Sequence, residues 1–281
     1  MASPQTPATS SPQGLLILWG SVDPASVDER ALDDWWTNEH LLERLRLPGF
    51  QRARRYRALN RKHGQNEYLA LYEASNVWDL ASDEYLYALN HPTKRTVQFM
   101  PCLAKMSRFA CRSVLSKGSP VSISVEPANT QGLLFMVVYQ VDNGGLDRDP
   151  LRVIGEHLGC GQSGAWAEIT YAQLAKVDEE ITKIGSASKS YNHVQFRSPQ
   201  DGKHTDAKKA DTFIALFELR PNNTDRLITE TSTMSERLSH NRDITGLHIN
   251  HINAYELIAS LSGPLSTLAN RMSFTAKHIQ A

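Results

Sequence analysis

His40 is the side chain in this sequence best suited to moving protons. Its imidazole has an ordinary pKa near ~6.5, so it can accept and return a proton at neutral pH. On a helix, Trp36, His40 and Arg44 stack at i, i+4 and i+8 and share one stripe. Glu39 and Glu43 are spaced to orient His40 or to pair with Arg44 and Arg46. Surface pairing suits Glu43, and Glu39 is kept as a base or an orienting carboxylate. The stripe runs along the flank of an arc formed by Leu32, Trp35, Leu42 and Leu45, so a water-exposed histidine capped by Trp36 is the competing expectation.

A second set of candidates follows the first. In the stretch after Pro48-Gly49, strand alternation puts Arg52, Arg54 and Tyr56 on one face and Arg55 and Arg57 on the other. A guanidinium there can bind a carboxylate or steady an enolate. The alternative is a solvated edge strand kept from aggregating by its charge, which is the reading preferred for Arg55 and Arg57. Tyr72 and Tyr85 can supply hydroxyls to a substrate, with Arg52 beside them and Trp36 as an apolar wall. Ordinary packing is the alternative for each tyrosine. Gly159-Cys-Gly-Gln-Ser-Gly164 fits GxGxxG, but no parallel βαβ series surrounds it, so a glycine-rich loop is expected rather than a nucleotide site. His157, His193, His248 and His251 match no zinc spacing, and His248 and His251 fall on opposite faces of a strand.

The elements that carry these residues occur twice. Gly14-Leu-Leu-Ile-Leu-Trp19 is echoed by Gly132-Leu-Leu-Phe-Met-Val-Val-Tyr139, and Tyr68-Leu-Ala-Leu-Tyr-Glu-Ala74 by Phe213-Ile-Ala-Leu-Phe-Glu-Leu219. Around the first pair of anchors the pattern predicts strands at 14–20, 50–59, 67–74 and 105–115, with helices at 27–46 and 77–89. Around the second it predicts strands at 132–141, 188–197, 211–219 and 247–257, with helices at 166–184 and 223–240. Each half reads βαββαβ. A unit of this kind covers one sheet face with its helices and leaves the other bare, so two sheets facing each other would hide both bare faces and enclose a cavity. The expected fold class is therefore α+β, with two ferredoxin-like halves closed within one chain. Residues 1–13 are expected to be disordered, 14–117 to form the first half and 118–130 the linker. The second half is expected over 131–260 with a Gly-rich insertion at about 142–165, followed by a partly helical tail over 261–281.

Bulk properties narrow the partners. The 281 residues carry 30 basic and 30 acidic side chains, so no net field recruits nucleic acid or an anionic membrane. No apolar run approaches the ~20 residues of a membrane span. Cys102, Cys111 and Cys160 suggest neither a disulfide framework nor a metal site, which fits a reducing cytosol.

The segment Trp35-Trp-Thr-Asn-Glu-His40-Leu-Leu-Glu-Arg44-Leu-Arg-Leu-Pro-Gly-Phe50 resembles the dimeric α/β-barrel superfamily, and within it the EthD-like branch. The resemblance lies in Trp36, in His40 near the end of the first helix, and in Pro48-Gly49 before the second strand. It covers about residues 14–115 by motif and the second half by topology. His40-Leu41-Leu42 replaces the usual His-x-Pro, and the second half has no matching histidine near Asp178. The resemblance implies a small apolar, aromatic or polyketide-like substrate held in the barrel of a monomer or homodimer. It also implies a cofactor-independent cyclase, decarboxylase or isomerase that works through an enol(ate). His40 would be its acid/base, and Arg54 and Tyr56 would steady the charge. Two other expectations stay open: a barrel that binds ligands without catalysis, and a haem-binding enzyme.

Overall fold

The computed structural model describes residues 12–60, 66–118, 132–141, 169–197, 210–219, 229, 233 and 247–263. Its strands are β1 (Gly14–Val22), β2 (Phe50–Ala58), β3 (Asn66–Ala74), β4 (Ala104–Gly118), β5 (Leu133–Val141), β6 (Ile169–Val177), β7 (Asp211–Leu219) and β8 (Leu247–Ser262). They form one closed antiparallel barrel in the order β1-β3-β2-β8-β5-β7-β6-β4. Read around the ring, the strands of the first half lie in the order β4-β1-β3-β2 and those of the second in the order β8-β5-β7-β6. The ring closes where β2 pairs with β8 and β4 with β6.

Alternation sorts the side chains into an inner and an outer layer. Leu15, Ile17 and Trp19 of β1 meet Leu69 and Leu71 of β3, Leu134 and Met136 of β5, and Ile214 and Leu216 of β7 inside the barrel. That interior is packed with aliphatic side chains, where the sequence led us to expect a ligand cavity. The reason is the closure itself: a narrow barrel is filled by the inward residues of its own strands. On the outside of the first half, Leu16, Leu18, Ala70 and Tyr72 pack against the helices. The outer face of the second half presents Phe135, Val137, Tyr139 and Phe217.

Helix α1 (Glu29–Trp35) starts at Asp28, whose carboxylate accepts from the Arg30 and Ala31 backbone N–H groups. It passes through a π turn over Trp36–His40 into α2 (Leu41–Leu45). Gly49 then reverses the chain at φ +83°, a backbone conformation that suits glycine, as the Pro-Gly stop signal predicts. The second helical segment of this half is a 3-10 turn over Val77–Ala81 followed by α3 (Asp83–Asn90), and α4 (Lys94–Phe99) follows it.

The second half differs from the expected pattern. Residues 169–177, placed in a helix by their Ala, Gln, Leu and Lys content, form β6, and the helix α5 covers only Glu179–Ser186. Pairing with β4 on one side and β7 on the other overrides the local propensity. The strand expected at 188–197 is instead a 3-10 turn over Lys189–Tyr191 and a single bridge between Phe196 and Met106. Asp178 caps α5, so it is not the counterpart of His40. The helix expected at 223–240, the insertion at 142–165 and the tail beyond 263 lie almost entirely outside the described residues, as does the glycine-rich 159–164 segment. No helix among the described residues is long and apolar enough to cross a membrane.

Candidate active site

The π turn decides where the first helix points its polar side chains. The Leu41 backbone N–H reaches the Trp36 carbonyl, one residue further back than in an α-helix. Trp36, His40 and Arg44 are thereby turned inward and are 0%, 3% and 3% exposed, against the competing expectation of a water-exposed histidine. They lie between the helices and the outer face of the first-half sheet.

The His40 ring packs against the Trp35 ring at 4.9 Å between centroids. Its Nδ1 stands 3.5 Å from a Glu43 carboxylate oxygen and makes no hydrogen bond. Burial, helped by the nearby Arg44 charge, lowers the imidazole pKa to about 4, and Glu43 opposes this only in part. His40 is therefore neutral at pH 7. The carboxylate that stands beside the ring is Glu43. Glu39 faces the other way: it accepts from the Thr93 hydroxyl at 2.8 Å and pairs with Arg95 at 3.3 Å, tying the π turn to α4.

Tyr72 of β3 and Tyr85 of α3 are buried in the same layer as Trp36. Trp36 Nε1 neighbours the Tyr72 hydroxyl, yet neither atom finds a hydrogen-bond partner. Burial raises the Tyr72 hydroxyl well above the usual phenol range, so it stays protonated. Two residues complete the group. Arg108 of β4 donates from Nη2 to the Tyr85 hydroxyl at 3.1 Å, donates from Nη1 to the Thr182 carbonyl at 3.2 Å, and lies over the Tyr191 ring. The Arg44 guanidinium lies 5.8 Å from the centre of the Tyr85 ring. Sequence reasoning missed Arg108 and Tyr191. The available signal was an arginine between two apolar residues, Met106 and Ala110, on the outward phase of β4.

Arg54, Tyr56 and Arg52 are not part of this layer. They share the inward face of β2, so the sheet stands between them and His40. The Arg54 guanidinium joins Glu73 and Glu218 across the barrel, and Arg52 forks onto Glu73 at 2.6 and 2.9 Å. Burial raises the Tyr56 phenol to about 12, although the Arg54 charge beside it opposes this. Beside this cluster is a shallow recess with about 10 Å³ of cavity volume, room for about one water, lined by Arg54, Tyr56, Leu133, Glu218, Leu219 and Leu257. The edge-strand expectation for Arg55 and Arg57 fails because β8 pairs with β2. Arg55 is buried between the Trp36 and Tyr68 rings, each 4.8 Å away, and bonds Asp33 and Thr37. Arg57 remains on the surface and pairs with Glu256.

A further polar group lies inside the barrel. Glu67 accepts from the Tyr255 hydroxyl at 2.7 Å and from Asn253 at 2.9 Å. His251 contacts the same carboxylate at 3.5 Å and Tyr255 at 3.0 Å. Burial pushes the Glu67 carboxyl up, but these partners outweigh it and hold the pKa near 2. Among the histidines considered for haem, His251 thus spends Nε2 within this group, His193 is exposed at φ +70°, and His157 lies outside the described residues. Among the described residues no cluster of His, Cys, Asp or Glu could hold a metal ion.

The chain matches no protein-family model and no curated protein. Among solved structures it is similar to an anthrone oxidase-like protein at 10% identity and a TM-score of 0.51, covering 89% of this chain and 93% of the other. A candidate monooxygenase from Fusobacterium nucleatum subsp. nucleatum aligns at 8% identity and a TM-score of 0.46, over 90% and 96% of the two chains. A chlorite dismutase variant from Candidatus Nitrospira defluvii aligns at 12% and 0.41, over 89% and 93%. The first likeness shows that the two chains share this barrel fold, and the two lower scores carry no argument.

Proposed function

We propose that this chain is a small-molecule enzyme using acid/base chemistry at His40, in the layer between the first helices and the sheet. One observation carries the reading: the layer collects buried polar groups whose hydrogen bonds are unmade. His40 Nδ1, Trp36 Nε1 and the Tyr72 hydroxyl are all buried with no partner in hydrogen-bond geometry, Glu43 standing 3.5 Å from the imidazole and the indole beside the phenol. Each such group costs ~1–3 kcal/mol in a folded chain. Native proteins retain few of them, and a bound substrate is a reason to do so. A neutral imidazole there can take a proton from a carbon or hydroxyl acid and return it elsewhere, as cyclisation, decarboxylation and isomerisation through an enol(ate) all require. In this reading the Tyr72 hydroxyl would steady the developing charge, the role expected of Tyr56 and Arg54, which lie on the far side of the sheet. Trp36 and Tyr85 would hold an aromatic ring. The EthD-like pattern of Trp36, His40 and Pro48-Gly49 supports the same reading. The repeated strand order supports an internal duplication in which one half bears the site.

The test is deuterium wash-in at the α-carbon of a panel of aryl ketones, followed by NMR. Exchange above the buffer rate should fall about a hundredfold or more in His40→Gln. Unchanged exchange in that variant would remove His40 from the chemistry. A second reading, ligand binding without turnover, is favoured by the filled barrel interior; binding of the panel with no exchange would select it.

A further inference from the structure

Arg44 and Arg108 are both 3% exposed, and neither has a carboxylate within 4 Å among the described residues. Such burial is unusual, because an arginine stays charged at every physiological pH and its charge loses its hydration when enclosed. The other buried arginines among the described residues obey the rule. Arg54 has Glu73 and Glu218, and Arg55 has Asp33. Arg108 satisfies part of its fork with the Thr182 carbonyl and the Tyr85 hydroxyl, but its Nε is buried without a partner. Arg44 makes no hydrogen bond with a described residue and lies against the face of Tyr85, its 3% of exposed surface leaving its nitrogens at the solvent-facing edge of the layer.

Both cations converge on Tyr85, one over its ring and one at its hydroxyl. The chain also makes room for one of them. A Cβ on Gly185 of α5 would stand 2.2 Å from Arg108 Nη2, so a side chain there would displace the guanidinium. The charged groups near Arg44 are Glu43, which leans toward His40, and Arg46 at the exposed end of α2.

We infer that Arg44 and Arg108 form a binding site for the anionic group of a small aromatic ligand, with a carboxylate as the class of group they would take. The inference rests on the reading of this layer as a ligand site and adds the charge of what enters it. A planar carboxylate matches the donor fork of a guanidinium, and the ring it is attached to would pack among Tyr72, Tyr85 and Trp36. Arg44 then serves as the primary anchor, because its donors are unspent. Arg108 adds its Nε and a second positive charge.

The test uses the whole chain with benzoate as the probe and benzamide as its neutral isostere, with sodium chloride at matched ionic strength. Benzoate should raise the Tm by at least about 2 °C, while benzamide and chloride leave it unchanged. Isothermal titration should show benzoate binding about tenfold or more weaker in Arg44→Met and partly retained in Arg44→Lys. Ligand-free Arg44→Met should melt no lower than the parent chain, since it loses a buried charge that had no counter-ion. Equal responses to benzoate and benzamide, no response to benzoate, or undiminished binding in Arg44→Met would each overturn the inference. An equal response to chloride, meaning an adventitious ion only, would do the same. The parent chain's contrast between the two probes decides the matter even if Arg44→Met fails to fold. Wash-in that depends on His40 with no benzoate effect would leave the acid/base reading standing without this one. Benzoate held by Arg44 in a chain that catalyses no wash-in would leave an anion-binding protein.

Discussion

Arg54 and His40 were paired as partners in one mechanism when read from sequence, and their physical situations turn out to be opposite. Arg54 is a buried cation with two carboxylates, so removing it leaves charge without compensation in the barrel. Arg54→Met should cost about 3–5 kcal/mol, read from urea unfolding curves of the two proteins. His40 is a buried base held neutral. Its folded pKa is about 4 against 6.5 for the unfolded chain, so the unfolded chain takes up the proton first as pH falls. The stability owed to the neutral ring is complete above pH 6.5 and is lost progressively down to pH 4, a loss of about 3 kcal/mol. His40→Gln should lack that loss. Comparing the two proteins by urea unfolding at several pH values isolates it from the Glu67 and Glu73 carboxylates, whose depressed pKa values act at lower pH. A parallel pH dependence in both proteins would mean that the imidazole is not buried as described.

The π turn is the element that converts a helix pattern into a site. An inserted residue is absorbed within one turn, so the segments before and after it keep their faces. Deleting the exposed Asn38, which bonds Asp34 at 2.9 Å, should restore a continuous α-helix and leave α1 and α2 packed as before. The expected result is a Tm close to the parent's by circular dichroism, with His40 moved and the wash-in activity lost. A drop in Tm as large as that of a core deletion would show that the turn is structural. Helix α5 plays the complementary part. Gly185→Ala gains about 1 kcal/mol of helix propensity but pushes on Arg108, so benzoate binding should weaken while the helix content rises or holds. Helix periodicity in the sequence made the positions of Trp36, His40 and Arg44 on one stripe legible. It could not show that the stripe faces inward, because the periodicity of an α-helix does not contain the extra residue of the π turn.

At the scale of the whole molecule, the ring of strands makes the halves interdependent. Both seams are long ladders, β2 with β8 and β4 with β6, and the aliphatic interior draws on all eight strands. Unfolding should therefore be one transition, with tryptophan fluorescence and far-ultraviolet circular dichroism tracing the same curve. Four of the five tryptophans, Trp19, Trp35, Trp36 and Trp78, lie in the first half and Trp166 in the second, so in a Trp166→Phe background a fluorescence midpoint displaced from the dichroism midpoint would show that the halves melt separately. Closure also accounts for Arg55, which the sequence placed on a charged sheet edge. In a ring β2 has no free edge, and its outward face packs under α2, with Arg55 reaching Asp33 of α1.

Local patterns were enough for β1, β2, β3, β5 and β7, for the Pro48-Gly49 stop, and for the common face of Arg52, Arg54 and Tyr56, because apolar alternation and turn residues act within a few positions of the chain. Tertiary contact alone decided β6, whose residues favour a helix until β4 and β7 supply its hydrogen bonds. It also decided which of the polar candidates meet. Alternation states that two residues lie on opposite faces of a strand; which face closes into a barrel and which lies under a helix depends on partners more than a hundred residues away, as the bond from Arg54 to Glu218 illustrates.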